Sequence, residues 1–161
     1  MKYLAGEEEK EVVGYMEQAA AVAKAATCNQ ALCGSIIVKE DRVIGAGFNS
    51  PPGELDSQRR CHESTEEYDA KVTDKTCCVH AEQRAIMDAL HTNPNDLTGS
   101  RLYFTRVDAD GSILKSGKPY CTICSKMSLD VGIAEFVLWH DDGICVYNTE
   151  EYNDVSFIPS R

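Results

Sequence analysis

The chain is expected to fold as an α/β protein, and three patterns carry that expectation. Paired β-branched runs meet at short polar turns, residues 33–39 with 42–49 and residues 135–140 with 144–148. Helical periodicity runs through residues 7–27, 80–89 and 121–131. Helices and strands alternate along the chain instead of segregating, and a further strand at 102–105 brings the expected sheet to five strands. With 161 residues, 43% of them hydrophobic, the chain is long enough for one substantial core and too short for two ordinary ones, so residues 1–161 read as a single domain.

In order, residues 7–27 are rich in Ala, Glu, Gln and Met, with Val12, Tyr15, Met16, Ala19, Val22 and Ala23 at helical spacing. This predicts a long amphipathic first helix packed on the sheet, a partner-binding helix being the alternative. Glu40-Asp41 then separates the strands of the first hairpin. Asn49 ends that hairpin before Pro51-Pro52, where Asn is also a common turn residue. Residues 50–76 are highly charged, with Cys61-His62 in their middle. Long connections of this kind are lids or carry their own staple. The helix from His80 closes at Asn93-Pro94, and a turn around Gly111 leads the 102–105 strand back through residues 113–118. Near the end, three residues, 141–143, join two strands, which only antiparallel neighbours permit.

Two stretches carry chemistry: Cys77-Cys78-Val79-His80-Ala81-Glu82 and Pro119-Tyr120-Cys121-Thr122-Ile123-Cys124. His80, Cys121 and Cys124 offer one imidazole and two thiolates, which leaves a tetrahedral zinc one position short. An open position takes a water whose pKa the metal lowers, and Glu82, two residues from His80, is placed to take its proton. The competing reading is a closed structural site completed by Cys77 or Cys78, for which Glu82 would have no use.

A formal net charge of -10 repels polyanions on average, so a small substrate is favoured over nucleic acid, although Arg59-Arg60 or residues 115–118 could still hold phosphates. No apolar run approaches the roughly 20 residues of a membrane span, and no signal-like segment follows the acidic start, so a reducing cytoplasmic setting is expected. There, eight Cys are better explained by metal than by disulfides.

His80-Ala81-Glu82 with Pro119-Tyr120-Cys121-Thr122-Ile123-Cys124 resembles the H-x-E and P-C-x-x-C signature of the zinc-dependent cytidine and deoxycytidylate deaminases. The resemblance implies a three-layer α/β/α sandwich around a mixed five-stranded sheet, a zinc cofactor (Zn2+), and hydrolytic deamination of a cytosine-type base in a free nucleoside or nucleotide. It implies Glu82 as proton shuttle, Asn49 reaching the sugar, and Ala81 and Tyr120 as further substrate contacts. Similar chains can carry a second, structural zinc, for which Cys28, Cys61, His62 and Cys77 are the candidate donors; otherwise these are free thiols. A homodimer or homotetramer is expected. Two departures stand out. Tyr120 separates the Pro from the first Cys, and residues 107–118 form an insertion where most relatives run almost directly into the Pro-Cys pair. The last hairpin is like that of the free cytidine deaminases, whereas His80 and Asn49-Ser50-Pro51-Pro52 are like the deoxycytidylate group. Other readings are deamination of guanine or of a base in tRNA or single-stranded nucleic acid and, from a different class, a non-catalytic zinc module.

Overall fold

In the computed structural model, which describes residues 1–159, β2 (Leu32–Lys39) is buried from Gly34 to Val38, as a strand covered on both faces must be. The last two positions of the expected domain lie outside the described residues. Side chains on β2 alternate between two cores. Ile36 and Val38 pack against Val12, Met16 and Ala19 of α1 (Gly6–Ala23). Ile37 faces Ala85, Ile86 and Ala89 of α2 (Ala81–Thr92). α1 therefore covers one face of the sheet. α2, α3 (Thr122–Asp130) and α4 (Thr149–Ser156) cover the other, which makes three layers.

The remaining strands are β1 (Lys2–Tyr3), β3 (Arg42–Phe48), β4 (Arg101–Val107), β5 (Ile113–Leu114), β6 (Glu135–His140) and β7 (Gly143–Asn148). Their order is β1-β7-β6-β4-β2-β3, with β5 paired to β4 off this path. Only β4 and β6 run parallel, so the sheet is mixed as expected. It has seven strands where five were expected. The two additional strands, β1 and β5, are two residues long; β1 is too short to leave an alternation in the sequence, and β5 is the expected return of the chain after the turn at Gly111.

Local chemistry sets the boundaries. Glu40 and Asp41 both take positive φ, 49° and 60°, which is the two-residue hairpin geometry that matches strand twist. β6 and β7 pair antiparallel across the expected tight turn. α1 ends at Ala23, before the expected Thr27. The stretch after β7 is a helix: Asn148 Oδ1 accepts from the Glu150 N–H at 2.9 Å, and two glutamates stand in the first turn. Helix and sheet approach closely through glycine. A Cβ on Gly47 would lie 2.4 Å from Ala81 O and from Ala85 N, so only glycine lets α2 sit this near β3. Residues 50–79 form a long loop closed at its ends by a bridge between Ser50 and Val79. Among the described residues, no helix is long and apolar enough to cross a membrane.

Candidate active site

His80 and Cys121 occupy equivalent places, each at the N-cap of a helix. The His80 N–H donates to Gln83 Oε1 at 2.9 Å, which fixes the entry to α2. The Gln83 amide in turn reaches Met127 of α3, with 3.7 Å between Nε2 and Sδ. Two helix N-termini thus converge, and their positive ends favour thiolates. His80 Nδ1 lies 3.2 Å from Cys121 Sγ and 3.3 Å from Cys124 Sγ, and the two sulfurs are 2.7 Å apart. These three donors and a carboxylate oxygen of Glu82 all lie within 4.8 Å of one another. A tetrahedral zinc would space sulfurs by about 3.7 Å and nitrogen from sulfur by about 3.6 Å, so the donors need open by only about an ångström to fit one. Cys77 and Cys78 belong to a different cluster and do not close this one.

The electrostatics follow from burial. Glu82 is 4% exposed, and desolvation, then the Cys121 charge, push its carboxyl up to about 7 against the opposing pull of His80. The hydrogen bond with Cys121 raises His80 to about 9 despite burial. Cys121 falls to about 5, first through the bond from Cys124 and then through His80, while the same sulfur pair drives Cys124 up. A dication on these donors would favour both thiolates and displace the protons they carry.

Above the cluster opens a cavity of about 400 Å³, within the usual range for small-ligand sites. Asn49, Ala81 and Tyr120 all line it, so the structure brings together every substrate contact expected from the sequence. Ala81 is fully buried and Tyr120 is 75% exposed. The Asn49 amide is partly engaged: Oδ1 accepts from the Cys33 N–H and Nδ2 donates to Ala31 O, each at 2.9 Å. That leaves one donor hydrogen on Nδ2 for a ligand. Phe104, Leu138 and Tyr152 also line the cavity. Strand alternation could have signalled Phe104 and Leu138. Tyr152 reaches the site because α4 folds back to stack it on Phe136, centroid to centroid 4.0 Å, which nothing local announces.

The second donor set differs from the one expected. Sulfurs of Cys28, Cys61 and Cys78 lie within 4.8 Å of one another, and Cys77 Sγ stands 3.2 Å from Cys61 Sγ. His62 stands outside this group, its Nε2 3.1 Å from Asn29 Nδ2. Burial would raise Cys61, but bonds from Cys77, the Asn29 N–H and Arg59 outweigh it and lower the thiol to about 7.

The family model described as the cytidine and deoxycytidylate deaminase zinc-binding region matches residues 9–140. Over 95 residues the chain is 30% identical to the deoxycytidylate deaminase of Mycobacterium phage D29, a match spanning 55% of this chain and 71% of that protein. Among solved structures, dCMP deaminase from the cyanophage S-TIM5 aligns with a TM-score of 0.56 at 20% identity, over 83% of this chain and 82% of that one. Cytidine deaminase from Burkholderia pseudomallei aligns with a TM-score of 0.56 at 17% identity, over 87% and 94%. At such identities the two structures speak for the fold. The matched residues include His80, Glu82, Cys121 and Cys124, and the chain belongs to the cytidine and deoxycytidylate deaminase family of zinc-binding hydrolytic deaminases.

Proposed function

We propose that the protein deaminates a cytosine-type base in a free nucleoside or nucleotide, releasing ammonia and the uracil form, with zinc on His80 Nδ1, Cys121 and Cys124. One observation carries this reading: a buried carboxylate, Glu82, clusters with one imidazole and two thiols, and Glu82, His80 and Cys121 of that cluster line the cavity. Zinc bound there supplies Lewis acidity and lowers the pKa of water. Glu82 takes the proton of the attacking water, gives it to the ring nitrogen, and carries a second proton to the leaving amine. Water and base in, ammonia and uracil form out, the cycle leaves Glu82 as it began. Ala81 and Tyr120 flank the base, and the spare Asn49 donor meets the sugar. A net charge of -10 speaks against a polynucleotide substrate.

A structural metal on Cys28, Cys61 and Cys78, with Cys77 beside them, belongs to the same proposal. Four soft donors gathered at the root of a long loop suit zinc and would staple that loop to the body. So does self-association, supported by exposed Met87 and Leu90 on one face of α2 beside the sheet's β3 edge.

The test is an ammonia-release screen of zinc-loaded protein over nucleosides, nucleotides and free bases. Cytosine compounds should release ammonia and guanine compounds should not. Silence from every cytosine compound would overturn the proposal.

A further inference from the structure

The charge of the cavity is inverted relative to that of the chain. Lys and Arg number 16 against 26 Asp and Glu overall. Yet the cavity is lined by four cations, Arg60, Lys75, Arg106 and Lys118, apart from Lys115, whose charge turns away, and by only two carboxylates. One of these is Glu82 in the buried floor, and the other, Glu63, is held by Arg60 at 3.2 Å. Among the described residues, no carboxylate lies within ion-pair distance of Lys75, Arg106, Lys115 or Lys118. Cations gathered without counter-charge repel one another, and an anion drawn into the cavity relieves that repulsion.

Two of the four, Arg106 and Lys118, come from β4 and the insertion that follows it. Arg106 alternates with Thr105 and Val107 and shares the face of Phe104, the cavity side of the sheet. The insertion is fixed before any ligand arrives. Asp108 Oδ1 accepts the N–H groups of Asp110 and Ser112, each at 2.9 Å, and Leu114 pairs with Arg106 across β4 and β5. The Ser116 N–H donates to Trp139 O at 2.8 Å. Buried His140 donates from Nδ1 to Ser116 O at 2.9 Å, which leaves Nε2 to accept the Tyr147 hydroxyl at 2.8 Å. The Lys115 ammonium lies 3.4 Å from the centroid of the Trp139 ring, which packs on the α1 side of the sheet and so turns this charge away from the cavity, and the Lys118 ammonium donates to Ile158 O. An arm held by backbone bonds loses little entropy when it captures a ligand.

We propose that the end of β4 and this insertion select for a phosphoryl group: Arg106 and Lys118 hold the phosphate of a nucleotide at the cavity mouth while its base reaches Glu82. The proposal rests on the deaminase reading above and narrows its substrate from nucleoside or nucleotide to nucleotide. Arg106 suits the task because guanidinium meets phosphate in two parallel hydrogen bonds, with the Lys118 ammonium as a point charge beside it.

The experiment compares kcat/KM of zinc-loaded protein for deoxycytidine and for its mono-, di- and triphosphates, then repeats it with Arg106→Ala, Lys118→Gln and the double variant. The best nucleotide should exceed the nucleoside by at least about 100-fold, since each charge-assisted bond lost is worth roughly a factor of ten or more. Each variant should cut that ratio by about tenfold, with zinc content and melting temperature unchanged, and salt should shrink it. Preference for the monophosphate identifies one phosphoryl site, and preference for the triphosphate a longer one; both support the proposal. Deoxycytidine turned over as efficiently as every nucleotide, or variants that slow all substrates alike, would overturn it and leave the deaminase reading standing. No ammonia from any of the four would overturn both. A control needs no variant: deoxyuridine monophosphate should inhibit deoxycytidine deamination at least about tenfold more tightly than deoxyuridine, and equal inhibition would count against the proposal.

Discussion

His80 Nδ1 stands 3.2 Å from Cys121 Sγ, although 41 residues separate them in the chain. The contact exists because β4 and its insertion lie between two helices whose first residues are the donors. Replacing Cys121 and Cys124 together by Ala should therefore abolish tight zinc binding at this site and leave the sheet intact. Metal analysis should lose one equivalent and circular dichroism should change little; equal zinc at equal affinity would reject the ligand assignment.

Glu82→Gln separates chemistry from structure. The amide keeps the side chain's size and all three zinc donors, but cannot carry protons. Turnover should fall by about 10³ to 10⁴, a barrier increase of about 4 to 6 kcal/mol, because this residue acts twice in one cycle. Zinc content and substrate affinity should hardly move. A variant that loses its metal would make Glu82 a ligand or an orienter of one.

Gly47→Ala should destabilise the fold by about 3 kcal/mol or more, since the new Cβ meets helix backbone that has no rotamer to yield. α2 carries His80 at its cap and Glu82 in its first turn, so zinc affinity should drop with stability. Gly14→Ala is the contrast: nothing lies within 4 Å of its Cβ, and in mid-helix it should stabilise by about 0.5 to 1 kcal/mol. Denaturant melts of the two variants should move in opposite directions.

Cys61→Ser and Cys78→Ser should each remove the second metal equivalent while the one at His80 remains. The loop over residues 50–79 should then become markedly more sensitive to limited proteolysis, because only the bridge between Ser50 and Val79 and a few hydrogen bonds, such as Arg84 to Pro51 O and Arg59 to Thr27 O, would still hold it. Unchanged metal content in both variants would rule out the structural metal.

The chemistry was legible in the sequence because it is local. His80 and Glu82 lie two residues apart and Cys121 and Cys124 three apart, spacings that a helix start converts directly into convergent donors. The longer strands were legible for the same reason, since alternation over six or more residues is a property of the segment itself. Tertiary structure alone decided the rest. Strand β1 is too short to pattern and exists only as a partner of β7, whereas β5 was foreshadowed by the turn at Gly111. His62 was an attractive donor by its position beside Cys61, but the loop's path turns it to Asn29 and brings in Cys78 instead. Tyr152, Arg106 and Lys118 reach one cavity from a C-terminal helix, a strand end and an insertion. Which distant side chains share a cavity depends on how the layers stack and where each connection returns, and no periodicity within a segment encodes that.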